Sequence, residues 1–101
     1  MSRFLIVYRG APGGQESEGA QHFPPTWQAW FERLGGAVLE RGSLTHSSVE
    51  IPSRLLGPKV SSSALSGYSI VEAADFNEAV RMAQECPIFD EHGSLEVARL
   101  D

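Results

Sequence analysis

Proton transfer near neutral pH is histidine chemistry, and this chain of 101 residues has three histidines: His22, His46 and His92. None is spaced three or four residues from another ligand type within a helix, and His-x-His and Cys-x-x-Cys are absent, so no metal site is signalled. His22 stands just ahead of a helix and beside a glycine-rich loop. From there a side chain either enters a pocket mouth or faces solvent. His46 falls in the polar stretch Ser43–Ser48, and His92 in an acidic turn beside Asp90 and Glu91. Both read as surface residues. Nucleophilic catalysis has little to start from. The Gly-x-Ser-x-Gly elbow is missing, and twelve serines make chance pairings with histidine cheap. Cys86, next to Pro87 at the end of an amphipathic helix, reads as a small buried hydrophobe. The candidates are His22 as an acid–base group, with Tyr8, Arg9, Trp27 and Tyr68 as residues that line a cavity or orient a small, anionic ligand.

Composition narrows the partners. Eight basic residues against thirteen acidic ones give a net charge of −5, and Lys59 is the single lysine. Nucleic-acid binders neutralise phosphates with clustered Lys and Arg, so neither nucleic acid nor an anionic membrane is an expected partner. The longest apolar run, Phe4–Tyr8, falls well below the roughly 18–20 residues of a membrane span and the about 7–15 of a secretory signal. Gly10, Gly13, Gly14 and Gly19 match neither the dinucleotide fingerprint nor the phosphate-binding loop, and no cofactor is expected. One cysteine forms no internal disulfide, and Asn77 is no glycosylation acceptor, which points to a reducing cytoplasm. The length suits a single domain over residues 1–101.

The elements that must position these residues read as β, α, β(β), β, α, β. Arg3–Arg9 is a strand with Phe4, Ile6 and Tyr8 on one face and Leu5 and Val7 on the other. Both faces are apolar, the pattern of a strand covered on two sides. Gly10–Gln21 is a loop, with a lid over a pocket as the alternative. Trp27, Trp30, Phe31, Leu34 and Val38 recur at helical spacing, predicting a helix from Pro24 that narrows or kinks at Gly35-Gly36 and ends near Gly42. Close packing on a sheet is the expected reason for that glycine pair. Residues 43–66 suggest two short strands or one bent strand. Gly67–Ala73 is a strand, Asp75 and Glu78 cap a helix ending before Pro87, and Leu95–Leu100 is the last strand. Two βα units with antiparallel strands between them predict a ferredoxin-like α+β sandwich with both helices on one face. The two-faced first strand then predicts a homodimer, sheet against sheet.

Several stretches resemble the YCII-related family, also called DGPF-type domains. They are Leu65–Ala73, the helix Phe76–Glu85 with Cys86-Pro87, Gly93–Val97, the opening Phe4–Gly10 and the helix Trp27–Gly35. The resemblance covers nearly the whole chain and implies a ferredoxin-like fold assembled as a dimeric α+β barrel. One branch of that family contains a dehalogenating lyase acting on a chlorinated aromatic ring, with a His–Asp pair proposed as catalytic. His22 stands where that histidine would be. The aspartate has no counterpart, since the first Asp in the chain is Asp75, and Leu56-Gly57-Pro58-Lys59 replaces the Asp-Gly-Pro-Phe signature. The resemblance thus implies a small-molecule enzyme, lyase or isomerase-like, working by acid–base chemistry in a cleft of the homodimer. The alternative is a non-catalytic ligand-binding or accessory module built on the same cleft.

Overall fold

Strand β1 (Ser2–Arg9) lies in the middle of a four-stranded antiparallel sheet, between β5 (Leu65–Ala73) and β6 (Ser94–Arg99). The computed structural model describes residues 1–10, 23–45, 47–62 and 64–101. Strand β2 (Val38–Leu44) completes the sheet on the far side of β5, giving the order β2-β5-β1-β6. Two short strands, β3 (Val49–Glu50) and β4 (Lys59–Val60), pair only with each other and form a separate hairpin between β2 and β5. Helices α1 (Pro25–Leu34) and α2 (Phe76–Gln84) complete a small α+β structure.

Alternation along β1 decides which face the helices take. Phe4, Ile6 and Tyr8 are fully buried in one cluster with Trp27, Trp30 and Phe31 of α1 and Ala79 and Ala83 of α2. Both helices therefore cover the same face. Each indole also has a polar partner, as buried Trp requires. Trp27 Nε1 donates to Glu91 Oε2 at 3.2 Å, and Trp30 Nε1 donates to the Met82 carbonyl at 3.1 Å, tying α1 to α2. Helix α2 begins as its sequence predicts. Asp75 Oδ1 accepts from the Glu78 amide at 2.8 Å, and Glu78 Oε1 reaches back to the Ala74 amide at 2.6 Å.

Helix α1 is shorter than its apolar spacing predicts. It ends at Leu34, a 3-10 turn covers Gly35–Ala37, and Val38 opens β2 rather than a fourth helical turn. Gly35 has φ +59°, which turns the chain out of the helix, and space around both glycines is open. Conformation, not close packing, is the reason for glycine at position 35. Gly42, expected as a helix cap, instead sits in an irregular stretch of the β2–β5 pairing at φ +77°. A Cβ there would collide with the Tyr68 carbonyl.

That irregularity receives a buried hydrogen-bond chain. The Tyr8 hydroxyl donates to Ser69 Oγ at 2.6 Å, and the Ser69 hydroxyl donates to the Arg41 carbonyl at 2.5 Å. Three strands, β1, β5 and β2, are thereby joined through the interior. Ser69→Ala leaves the Tyr8 hydroxyl buried without its acceptor and is expected to destabilise the fold by about 1–3 kcal/mol. Tyr8→Phe in the same chain should recover part of that loss, giving non-additive effects in a urea-unfolding double-mutant cycle.

Candidate functional site

The pairing register sorts the sequence candidates onto opposite sides of the sheet. Tyr8 pairs with Gly67 and points toward the helices, where its ring meets Trp27 edge to face at 4.8 Å. Phe23 stacks on the other side of Trp27 at 5.5 Å. Tyr8 and Trp27 are both fully buried, so within this chain they pack the core and leave no surface for a ligand. Val7 pairs with Tyr68, which turns Tyr68 to the face that no helix covers. Arg9 reaches that same face, where its Nη2 lies 3.2 Å from Glu96 Oε1. His22 and His46 lie outside the described residues.

The open face is apolar at its centre and charged around it. Leu5, Val7 and Ile70 are half-buried there, with Ala98 opposite Leu5 across the β1–β6 pair. Tyr68 donates to Glu40 Oε2 at 3.2 Å across the β5–β2 pair. That hydrogen bond, together with the charge of Glu40, holds the phenol pKa above its ordinary value, so Tyr68 is a neutral hydroxyl throughout the physiological range. Arg9 with Glu96, and Arg3 with Asp101 at 3.9 Å, are exposed pairs worth at most about 1 kcal/mol each. The face therefore offers an apolar platform, one tyrosine hydroxyl and an arginine within one strand pair of each other.

Glu40 was hidden from sequence reasoning by the misplaced end of α1. Read as helical, position 40 has no relation to Tyr68, and only the β2–β5 register brings them together. Glu91 was hidden for another reason, since it meets Trp27 only through the tertiary placement of a 3-10 turn over Pro87–Glu91. A groove of about 350 Å³ lies beside that turn, lined by Thr26, Ala29, Arg33, Glu85 and Asp90 among others. None of the sequence candidates lines it. Among the described residues, no three His, Cys, Asp or Glu side chains converge as a metal site. No described helix is long and apolar enough to cross a membrane.

No family model, curated protein or solved structure matches this chain.

Cys86 is buried as its position predicts, and its thiol is pushed up to about 12, chiefly by burial. Tyr8 is displaced upward for the same first reason. Both groups hold their protons more tightly folded than unfolded. Their stabilisation is thus full below the ordinary values of 9.0 and 10.0 and is lost as pH rises through the folded values. The urea midpoint should be insensitive to these two groups near neutral pH. Above about pH 9 the unfolding free energy should fall by up to about 1.4 kcal/mol per pH unit for each group that titrates, and the midpoint with it. At about pH 8, iodoacetamide should label the urea-unfolded chain and leave native Cys86 unmodified, because the reactive species is the thiolate. Rapid labelling of the native protein would contradict the burial assigned to this thiol.

Proposed function

We propose that this protein is a YCII-related domain with a ferredoxin-like fold, working as a homodimer whose two open sheet faces enclose a cleft for a small organic anion. The observation that carries the reading is the open face itself. Leu5, Val7 and Ile70 form an apolar centre that no described element covers, yet β1 is one of the two central strands of the sheet. The order β2-β5-β1-β6 with every neighbour antiparallel supports the ferredoxin-like assignment, since two βα units then interleave with their helices on one side. A second copy laid sheet to sheet removes the apolar centre from water and makes a dimeric α+β barrel.

In that cleft an anionic carboxylate or phenolate would draw the Arg9 guanidinium from the exposed Glu96 and take the single Tyr68 proton that Glu40 accepts in the free chain. His22 is the proposed proton carrier of a lyase or isomerase-like reaction. General acid–base catalysis by a positioned imidazole contributes about 10²–10⁴-fold to rate. A second reading, a module that binds the same anion without turning it over, is favoured by one observation. Among the described residues, Glu40 on this face is engaged with the Tyr68 phenol.

Sedimentation at micromolar concentration should return a dimer, and a monomer there would remove the cleft altogether. Halogenated hydroxybenzoates, followed by halide release and by deuterium uptake from D2O, separate the two readings. Turnover lowered about 10²-fold or more in His22→Ala, with binding retained, supports catalysis. Saturable binding without product, unchanged in His22→Ala, supports the binding module. In either case Tyr68→Phe should weaken binding by roughly the 0.5–1.5 kcal/mol of one hydrogen bond.

A further inference from the structure

The hairpin built on β3 and β4 is amphipathic, and its apolar side faces water. Val49 pairs with Val60 on one side, and Glu50 pairs with Lys59 on the other. Ile51 follows Val49 on the apolar side, and Leu55 and Leu56 form the tip. These five aliphatic residues are 65–93% exposed, and no residue from Ser47 to Ser62 is buried. Single exposed aliphatics are ordinary on a protein surface, but a contiguous strip of them marks an interaction surface.

The arm is nonetheless shaped. Glu50 Oε1 accepts from both the amide and the hydroxyl of Ser62, at 3.1 and 2.9 Å. At the tip, Ser53 Oγ accepts from the Leu56 amide at 3.0 Å, and the Ser53 carbonyl accepts from the Gly57 amide at 3.0 Å. Its base is anchored where Thr45 donates its amide to the Ser66 carbonyl and Gly10 donates to Ala64, at the end of the main sheet. An isolated two-stranded hairpin is marginal in water, so an arm held in this form gains from a surface laid against its apolar side.

Charge identifies the surface. Residues 47–62 carry Arg54, Lys59 and Glu50, a net +1, which leaves −6 on the remainder of a chain whose total is −5. The single lysine of the protein and an arginine thus flank the apolar tip, while the open sheet face carries Glu40, Glu72 and Glu96 against Arg3 and Arg9. Each such face keeps one carboxylate in excess of its arginines, so two of them brought together gain from positive charge supplied by the arms. The arms are the basic segment of the chain and spring from the end of the same sheet.

We propose that the β3–β4 arm of each copy clasps the body of a second copy of this chain, laying Val49, Ile51, Leu55, Leu56 and Val60 against it and setting Arg54 and Lys59 among its carboxylates. The inference rests on the homodimer proposed above and adds the element that holds it.

The test compares the dimer dissociation constants of three full-length chains by sedimentation. They are the wild type, Leu55→Ser/Leu56→Ser, and Arg54→Gln/Lys59→Gln. All four substituted side chains are exposed, so far-UV circular dichroism and urea unfolding of the variants should match the wild type under monomeric conditions. The apolar variant is expected to raise the dissociation constant at least tenfold. The charge variant should do the same in low salt and less in high salt, because screening weakens the pairing it disrupts. Amides of the arm should exchange more slowly above the dissociation constant than below it. A dimeric wild type whose affinity and arm exchange are indifferent to both substitutions overturns the arm and leaves the dimer standing. A wild type that stays monomeric at every accessible concentration overturns both. A monomer whose arm amides are already protected would show that the chain covers its own arm, and the proposal then fails.

Discussion

Strand β1 carries two apolar faces, and the described elements of its own chain cover one. Hydrogen-bonded on both sides by β5 and β6, it presents Phe4, Ile6 and Tyr8 to the helices with no exposure left. Everything on that side follows from the demand. Two tryptophans and Phe31 of α1 fill the space above the strand, and small residues, Ala79 and Ala83, let α2 come close beside them. The polar atoms carried into this layer are satisfied one by one, with each indole and the Tyr8 hydroxyl bonded to a carboxylate, a carbonyl or Ser69. A core of this composition gains roughly 1.5–3 kcal/mol per buried large side chain, and it tolerates polar groups only on those terms.

The opposite face follows a different rule. Leu5, Val7 and Ile70 remain half-buried between charged side chains, and the two tethered polar pairs, Tyr68 with Glu40 and Arg9 with Glu96, lie on the side left open. The β3–β4 arm repeats the arrangement in miniature, with one polar side internally bonded and one aliphatic side bare. The acidic body and basic arm are of complementary sign. A small domain buries a modest share of its surface and gains most from association, which is the physical sense of both proposals.

Legibility varied by element. The Asp75 cap, the two helices and the strands at either end were readable because each is specified by residues within four positions of one another. The end of α1 was not. Leu34 and Val38 satisfy a helical period, and nothing local distinguishes a glycine pair that bends a helix from one that ends it. Their separation is made by Gly35 at positive φ and by the β5 edge, which pairs with the chain from Val38 onward. The candidate site shared that fate. Tyr8, Arg9, Trp27 and Tyr68 were grouped by residue type, whereas the sheet divides them into a buried pair and an open pair.

What the amino-acid sequence determined by itself was periodic and local: a two-faced first strand, a capped second helix, an acidic chain with one lysine, and a buried cysteine. Tertiary structure decided which face each aromatic occupies, that Glu40 meets Tyr68, and that the hairpin stands away from the core. The reason is register. A strand carries its alternation in its own residues, but whether position 68 lies with Val7 or with Tyr8 depends on how β5 slides against β1, and a shift of one residue exchanges the buried face for the open one.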